Sequence, residues 1–277
     1  MSIKLVAIDL DDTLLDPELK ISSKCTAAIR QVQQKGILVT LATGRMFRSA
    51  LPYADDLQMD IPLITYQGAL VKNSRSQETL YYKPVPGDLG TEVMQYFAGA
   101  GVHYQSYFGD QLCMASLSEE GQFYAELAGI EPLIINDMLA FSRQSEALKI
   151  LAVSFNEELI LAMEKDLISK YGSKLNIVRS KPYFLEIMNR SANKGIALKV
   201  VADHYNIARE EVLAVGDSYN DLDMIKWAGI GVAMGNAPGA VKEAADFITL
   251  SNEEEGVAEA LQKYVIKYRN EGGNCKI

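Results

Sequence analysis

Short hydrophobic runs recur along this chain and alternate with segments of helical periodicity. The first run covers residues 4–10 and ends in acidic residues, and residues 37–42 repeat the pattern. Between these runs, Ala28, Ile29 and Val32 recur at helical spacing. Nearly continuous hydrophobic runs are typical of parallel strands buried on both faces, and a helical connection returns the chain to the next strand. The pattern therefore predicts a doubly wound, mainly parallel α/β sheet.

Local signals predict where two of the helices begin and end. Ser22 or Ser23 can cap the first helix, because a side-chain oxygen there can accept a backbone N–H, and Gly36 can end it. Asn156 can cap a later helix that ends at Gly172.

The pattern of predicted elements changes after a third strand candidate at residues 62–66. Turn signals follow it, and from about residue 82 to residue 187 long strand candidates mix with helices. The clearest strand candidates in this stretch are residues 103–108, 149–155 and 183–188. We therefore predict an inserted α/β cap domain over residues 82–187.

The alternation of strands and helices resumes after Asn193. Strands are predicted at residues 212–215, 230–233 and 247–250, and helices at 194–204, 221–228, from Pro238 onwards, and at 255–268. Residues 269–277 are predicted to form a loose tail. The core domain is therefore discontinuous and consists of residues 1–81 and 188–277.

Composition excludes several classes of function. The 277 residues carry a formal net charge of −9, which opposes binding to the phosphate backbone of nucleic acids. No hydrophobic stretch approaches the roughly 20 residues that cross a bilayer, so we expect a cytoplasmic protein without membrane contact. Cys25, Cys113 and Cys275 are far apart and form no Cys-x-x-Cys pair, so they predict packing residues rather than disulfides or a zinc site.

Acidic residues stand where the first predicted strand ends. Asp9 and Asp11 stand at the end of the predicted strand of residues 4–10, at the sheet edge where open α/β proteins bind ligands. Carboxylate oxygens are the ligands that magnesium prefers, and magnesium also takes substrate phosphate oxygens. The pair indicates a metal-assisted phosphoryl site, although such a cluster by itself is also compatible with a solvated turn that caps the next helix.

Three further segments place polar groups at the same predicted edge. Thr43 and Gly44 follow the second strand and offer a hydroxyl and loop amides to phosphate oxygens. Lys194 opens a helix just after the inserted domain, where an ammonium can neutralise phosphate charge. Residues 216–221, with the sequence Gly-Asp-Ser-Tyr-Asn-Asp, follow another hydrophobic strand and add further carboxylates.

In this order, the four segments resemble the haloacid dehalogenase superfamily. Its phosphatases share an Asp-x-Asp-x-Thr motif, a Thr or Ser, a Lys, and a Gly-Asp-x-x-x-Asp motif, and here these span Asp9 to Asp221. The insertion resembles the α/β cap of the Cof-type branch, on a Rossmann-like core. The resemblance implies a magnesium-dependent phosphatase that hydrolyses a small phosphorylated metabolite, foremost a sugar phosphate, through an aspartyl-phosphate intermediate.

The resemblance also implies a role for each motif residue. Asp9 is the expected nucleophile, and Asp11 is the expected general acid and base. The residues expected to bind phosphate are Leu10, Thr43, Gly44, Lys194 and Asn220. The expected magnesium ligands are Asp9, the backbone carbonyl of Asp11, and Asp217, with Asp221 orienting the site.

Two positions depart from the family pattern. Asp12 stands where members more often have Gly, and we expect it to be a helix cap that faces solvent. Gln67 stands where the related loop often reads Tyr-Asn-Gly. Arg45 is placed to support the phosphate loop, but an Arg at a helix start is usually solvated, and we expect that here. The polar cap residues His103 and Glu186 could contact the leaving group, but we expect them to have packing or surface roles.

Two other functions remain compatible with the motifs. A phosphomutase would use the same nucleophile and return the phosphate to another hydroxyl group. A sugar-phosphate sensor would bind without turnover and would not depend on Asp9. The sequence identifies neither the metabolite nor the oligomeric state, and flavin mononucleotide and pyridoxal phosphate stay open as substrates.

Overall fold

The computed structural model describes residues 2–266. The chain divides into two compact units, Met1–Tyr81 with Asn193–Ile277, and Tyr82–Ala192. The sequence placed the return to the first unit at residue 188, five residues too early, because strand Phe184–Asn189 of the second unit spans that position. The predicted loose tail, and the end of the last predicted helix beyond residue 266, lie outside the described residues.

Elements are numbered in chain order across both units. The strands of the first unit are β1 (Leu5–Ile8), β2 (Leu38–Leu41), β3 (Pro62–Thr65), β4 (Leu70–Asn73), β5 (Thr79–Tyr82), β12 (Val212–Gly216), β13 (Ile230–Ala233) and β14 (Phe247–Ile248). Its helices are α1 (Ser23–Gln34), α2 (Phe47–Asp56), α7 (Lys194–His204), α8 (Leu222–Trp227), α9 (Gly239–Ala244) and α10 (Gly256–Leu261). This alternation confirms the predicted α/β class.

The main sheet of the first unit has five parallel strands in the order β14-β13-β12-β1-β2. All four residues of the interior strand β1 are fully buried, as its uninterrupted hydrophobic run requires. Ile8 pairs with Val215 on one side and with Leu41 on the other. The register therefore aligns the carboxyl ends of β1, β2 and β12 at one edge of the sheet.

The third predicted strand is present but differs in its pairing. β3 runs antiparallel to β4 in a separate sheet of order β3-β4-β5. It meets the end of β2 through one parallel bridge between Ala42 and Ile64, and the Thr43 N–H donates to the Ile64 carbonyl at 2.8 Å. A single bridge still places the loop after β2 next to β3.

Two helices begin and end close to the residues that the sequence predicted. Ser22 Oγ accepts the Cys25 N–H at 3.1 Å, and Gly36 has a left-handed φ of 75° just beyond α1. In the second unit, Asn156 Oδ1 accepts the Leu159 N–H at 3.1 Å. Both helix predictions are confirmed within one or two residues.

The second unit is an α/β layer built on a six-stranded sheet of order β10-β11-β9-β6-β7-β8. Its strands are β6 (His103–Phe108), β7 (Gln111–Met114), β8 (Leu133–Ile134), β9 (Ala147–Val153), β10 (Leu175–Lys181) and β11 (Phe184–Asn189). Its helices are α3 (Gly87–Gly99), α4 (Glu119–Ala128), α5 (Met138–Ser142) and α6 (Glu157–Tyr171). Hydrophobic residues of α3 and α6 share one buried cluster with residues of β9 and β11.

The polar cap residues singled out in the sequence have partners within this unit. His103 Nδ1 lies 2.9 Å from Ser118 Oγ, and burial lowers the pKa of His103. Glu186 forms a buried ion pair with Lys149 at 3.3 Å.

Cys25 and Cys113 are buried and free, which confirms their packing roles, whereas Cys275 lies outside the described residues. Across residues 2–266, every helix is too short or too polar to span a bilayer.

Candidate active site

The aligned strand ends bring the two predicted acidic segments together. Asp9 follows β1 directly, and its backbone N–H donates to the Val215 carbonyl of β12 at 3.0 Å. Asp217 follows β12, and the carboxylate oxygens of Asp9, Asp217 and Asp221 lie within 4.8 Å of one another. The register of a parallel sheet thus gathers three carboxylates from segments more than 200 residues apart.

Lys194 binds two of these three carboxylates. It is the first residue of α7, whose start is capped by Asn193 Oδ1 accepting the Ile196 N–H at 2.7 Å. Lys194 Nζ donates to Asp9 Oδ1 and to Asp221 Oδ1, each at 2.6 Å. Lys194, Asp9 and Asp221 are 1%, 5% and 0% exposed, so this ion-pair network is shielded from water.

Asp221 organises the loop that carries Asp217. Its Oδ2 accepts the backbone N–H groups of Asp217 at 3.1 Å and Ser218 at 3.0 Å, while its Oδ1 accepts from Lys194. Gly216 allows this close approach, because a Cβ at that position would lie 2.5 Å from Asp221 Cγ. Asp221 therefore holds the loop in place with both of its oxygens.

The carboxylates outnumber the local positive charge. Burial raises the pKa of Asp9 well above its ordinary value, and Asp221 and Asp217 raise it further against the opposing charge of Lys194. Burial and then the charge of Asp221 raise the pKa of Asp217 to about 6. Burial lowers the pKa of Lys194, but the carboxylates of Asp221 and Asp9 outweigh that effect and raise it. The ammonium therefore stays charged.

This donor set fits a divalent cation. Asp9, Asp217 and Asp221 with Lys194 sum to a formal charge of −2, and carboxylate oxygens such as those of Asp9 and Asp217 are hard donors of the kind that magnesium prefers. The raised pKa values of Asp9 and Asp217 reflect burial first and neighbouring negative charge second, and a bound cation would compensate that charge. The chemistry of the site therefore matches the magnesium predicted from the sequence.

The turn after Asp9 is irregular and contains a left-handed residue. Within Leu10–Leu14, Asp12 has φ 57° and ψ 10°, a conformation that Gly adopts most readily and Asp tolerates better than most residues. Asp12 is exposed, as expected, but it does not cap α1, which begins after Ser22. The backbone thus explains why Gly is common at this position in the family that the sequence resembles.

The Asp11 carboxylate binds Arg45, a contact that the sequence did not predict. Arg45 Nε donates to Asp11 Oδ2 at 2.9 Å, and Arg45 Nη2 donates to Asp11 Oδ1 at 2.6 Å. The guanidinium also lies over the Tyr53 ring, 5.2 Å from its centroid. The expectation that Arg45 is solvated is wrong. Its place two residues after Thr43, at the same sheet edge, was the signal available in the sequence.

The predicted phosphate-binding residues lie in the loops around these carboxylates. Thr43 is fully buried, and its Oγ1 accepts the Arg45 N–H at 3.1 Å, which leaves the hydroxyl hydrogen free to donate. Gln67 covers Gly44, because a Cβ on Gly44 would lie 2.3 Å from Gln67 Nε2. Leu10 is buried at the start of the turn. Asn220 is exposed, and its Oδ1 accepts from Ser218 Oγ at 2.6 Å.

Thr13 is the Thr of the Asp-x-Asp-x-Thr motif, and the sequence assigned no role to it. Its hydroxyl donates to Asp217 Oδ1 at 2.9 Å, and Thr13 is 1% exposed. The hydrogen bonds of Lys194 join Asp9 and Asp221 into one network. Thr13 ties the turn after β1 to Asp217, whereas Asp11 contacts Arg45 instead.

Comparisons with known proteins agree with this geometry. The model of the haloacid dehalogenase-like hydrolase family matches residues 6–261. The 5-amino-6-(5-phospho-D-ribitylamino)uracil phosphatase YwtE of Bacillus subtilis is 31% identical over 280 residues, which cover 92% of this chain and 96% of YwtE. A haloacid dehalogenase-like hydrolase from Bacteroides thetaiotaomicron has a crystal structure with a TM-score of 0.87 and 35% identity, covering 95% of this chain and 99% of that one. TM0651 from Thermotoga maritima gives a TM-score of 0.86 at 29% identity, covering 94% and 97%.

Proposed function

Because the chain belongs to the haloacid dehalogenase-like hydrolase family, we propose that it removes phosphate from a small metabolite with the help of magnesium and an aspartyl-phosphate intermediate. The chain is a phosphoric monoester hydrolase. The observation that carries the finer proposal is the buried network of Lys194 with Asp9 and Asp221, beside Asp217. A structural ion pair would not require two further uncompensated carboxylates in a buried site.

Asp9 is the proposed nucleophile. A carboxylate oxygen of Asp9 attacks the phosphorus atom, the bond from phosphorus to the ester oxygen breaks, and Asp11 gives its proton to the departing alcohol. Asp11 then takes a proton from water, whose oxygen attacks the phosphorus, and inorganic phosphate leaves as Asp9 is restored. The position of Asp9 at the end of a fully buried strand supports this role.

The residues that would hold magnesium are Asp9, Asp217 and the backbone carbonyl of Asp11. Bound there, the ion would supply positive charge to the phosphoryl oxygens and to the carboxylate that attacks. Asp221 fixes the loop of Asp217 by accepting two of its backbone N–H groups. Lys194 lowers the pKa of Asp9 against the larger effect of burial, and it is the second source of positive charge for the transferring phosphoryl group.

Donors for the phosphate oxygens come from the surrounding loops. The Thr43 oxygen accepts the Arg45 N–H, and the hydroxyl hydrogen of Thr43 is available to donate to a phosphate oxygen. Ser218 fixes the amide oxygen of Asn220 and so leaves the amide N–H groups of Asn220 to donate. The backbone N–H groups of Leu10 and Gly44 complete the proposed set.

We propose a sugar phosphate or a sugar-alcohol phosphate as the substrate. The relative YwtE is named as the phosphatase of a compound with a phosphorylated ribityl chain, and the similarity extends over 92% of this chain. Such substrates present a primary phosphate on a flexible polyhydroxyl chain.

The proposal predicts magnesium-dependent release of inorganic phosphate. Purified protein would be incubated with a panel of sugar phosphates, sugar-alcohol phosphates, flavin mononucleotide and pyridoxal phosphate, with magnesium or with EDTA. We expect turnover that EDTA lowers by at least about 100-fold, because the carboxylates then lack their compensating charge. Transfer of phosphate to a second hydroxyl without net release would favour a phosphomutase, and binding without turnover would favour a sensor.

Arg45 is predicted to position Asp11. Replacing Arg45 with Met removes its hydrogen bonds to the carboxylate, so we expect kcat/KM to fall about 10- to 100-fold with an alkyl phosphate. The fall in kcat/KM, which reports phosphoryl transfer to Asp9, should be smaller with p-nitrophenyl phosphate, whose leaving group needs no proton. Arg30→Met, which changes an exposed arginine of α1, is the control. Equal losses with both substrates would contradict this role.

A further inference from the structure

Two asparagine side chains bind the turn that carries Asp11, although neither belongs to the motifs described above. Asn236 Nδ2 donates to the Asp12 carbonyl at 2.8 Å, and Asn252 Nδ2 donates to the Leu15 carbonyl at 3.0 Å. The Asn252 backbone N–H in turn donates to Asn236 Oδ1 at 3.2 Å. The turn is therefore held at two points by loops that are more than 200 residues away in sequence.

The loop that carries Asn236 is itself fixed. The Met234 N–H donates to the Gly216 carbonyl at 3.0 Å, and the Gly235 N–H donates to the Leu250 carbonyl at 2.9 Å. A Cβ at Gly235 would lie 2.7 Å from the Ser251 nitrogen, so only Gly allows this packing. Asn236 therefore projects from a backbone that is anchored to the end of β12, next to Asp217.

The bond from Asn236 acts on the peptide group between Asp12 and Thr13. That group is planar and contains both the Asp12 carbonyl and the Thr13 nitrogen. Holding the carbonyl in place therefore also sets the orientation of the Thr13 backbone nitrogen. Asp12 has a left-handed φ of 57°, which a non-Gly residue adopts at a cost. The hydrogen bond offsets part of this cost and selects one orientation of the peptide plane.

Thr13 carries the effect to the proposed metal site. Its hydroxyl donates to Asp217 Oδ1 at 2.9 Å, and the residue is 1% exposed, so few other orientations are open to it. A contiguous path runs from the Asn236 amide to the Asp12 carbonyl, then to Thr13 and the Asp217 carboxylate. Asn236 contacts none of the three clustered carboxylates itself.

We propose that Asn236 is a positioning residue that holds Asp217 in the orientation needed to bind magnesium, acting through the Asp12–Thr13 peptide group. This inference rests on the proposed function, because it presumes that Asp217 binds the metal. Asn236 is exposed, so truncating its side chain leaves no cavity and should preserve the fold.

The test is magnesium binding to EDTA-treated protein, measured by calorimetry together with kcat at increasing magnesium. We expect Asn236→Ala to weaken magnesium binding about fivefold, the effect of losing one hydrogen bond. We expect kcat at saturating magnesium to stay within about twofold of wild type, because binding energy from the metal restores the geometry of Asp217. Gln262→Ala removes another exposed amide hydrogen bond, to Gln31 at 3.0 Å, and should leave magnesium binding unchanged.

A double-mutant cycle with Thr13→Val tests the path. If Asn236 acts through the Thr13 hydroxyl, the loss caused by Asn236→Ala should nearly vanish in the Thr13→Val background. Additive losses, or wild-type magnesium affinity in Asn236→Ala, would overturn the inference. Asn236→Ser, which cannot reach the Asp12 carbonyl, gives the same comparison if the alanine variant does not fold. A wild-type protein that binds no magnesium would instead overturn the proposed function, and the inference with it.

Discussion

Replacing Asp9 with Asn should lower kcat by at least about 10⁴-fold, because a neutral amide cannot attack phosphorus as a carboxylate does. The fold should survive the change. Burial raises the pKa of Asp9, so the folded protein already disfavours a charge at this position, and a neutral side chain of the same size adds no strain. Phosphate release at saturating magnesium, with circular dichroism on the same samples, measures both effects.

Asp203→Asn is the matched control for this experiment. It makes the same chemical change in an exposed carboxylate at the end of α7, which pairs with Lys199. The control should keep wild-type turnover. Turnover by Asp9→Asn within about 10-fold of wild type would contradict the assignment of Asp9, because the loss of a covalent nucleophile costs several orders of magnitude.

Replacing Lys194 with Met should destabilise the protein by about 3 kcal/mol at neutral pH in the absence of magnesium, because it leaves Asp9 and Asp221 buried without their cation. Turnover should fall about 10²- to 10³-fold as well. The loss of stability should shrink as pH falls. Burial raises the pKa of Asp9, so Asp9 binds a proton more readily in the folded than in the unfolded state, and lower pH favours folding of the variant. Urea unfolding at about pH 8 and about pH 5 measures the difference.

Lys199→Met tests whether this cost is specific to the buried network. Lys199 lies on the same helix, but it is exposed and pairs with Asp203 on the surface. Its loss should change stability by less than about 0.5 kcal/mol, as is usual for exposed pairs. Equal destabilisation by the two lysine variants would mean that the Lys194 network has no special energetic role.

The sequence predicted the elements that carry the site residues well, because the signals for these elements are local. β1 is four consecutive hydrophobic residues, and α7 was predicted with both its first and last residues correct. Chain reversal between parallel strands then fixes which strand ends share an edge, so Asp9 and Asp217 could be expected near each other. Neither step requires knowledge of distant contacts.

Other features depend on contacts that a sequence pattern does not contain. Helix α2 was not predicted, and it contains Pro52, a residue that usually signals a break. Arg45 reaches Asp11 across 34 positions, and Thr13 reaches Asp217 across 204. Arg45 follows a predicted phosphate loop and Thr13 ends the Asp-x-Asp-x-Thr motif, but neither position indicates which carboxylate its side chain binds. Only the folded chain shows that each one binds a carboxylate of the candidate site.

The central claim is that phosphate passes through Asp9, and the Asp11→Asn variant tests it most directly. With p-nitrophenyl phosphate and magnesium, this variant can form the aspartyl phosphate, because the leaving group needs no acid, but it lacks the base that activates water. We predict a rapid burst of one nitrophenol per protein molecule, then slow turnover, with acid quenching and peptide mapping locating the phosphoryl group on Asp9. Steady turnover without a burst, or a phosphoryl group on any other residue, would contradict the account.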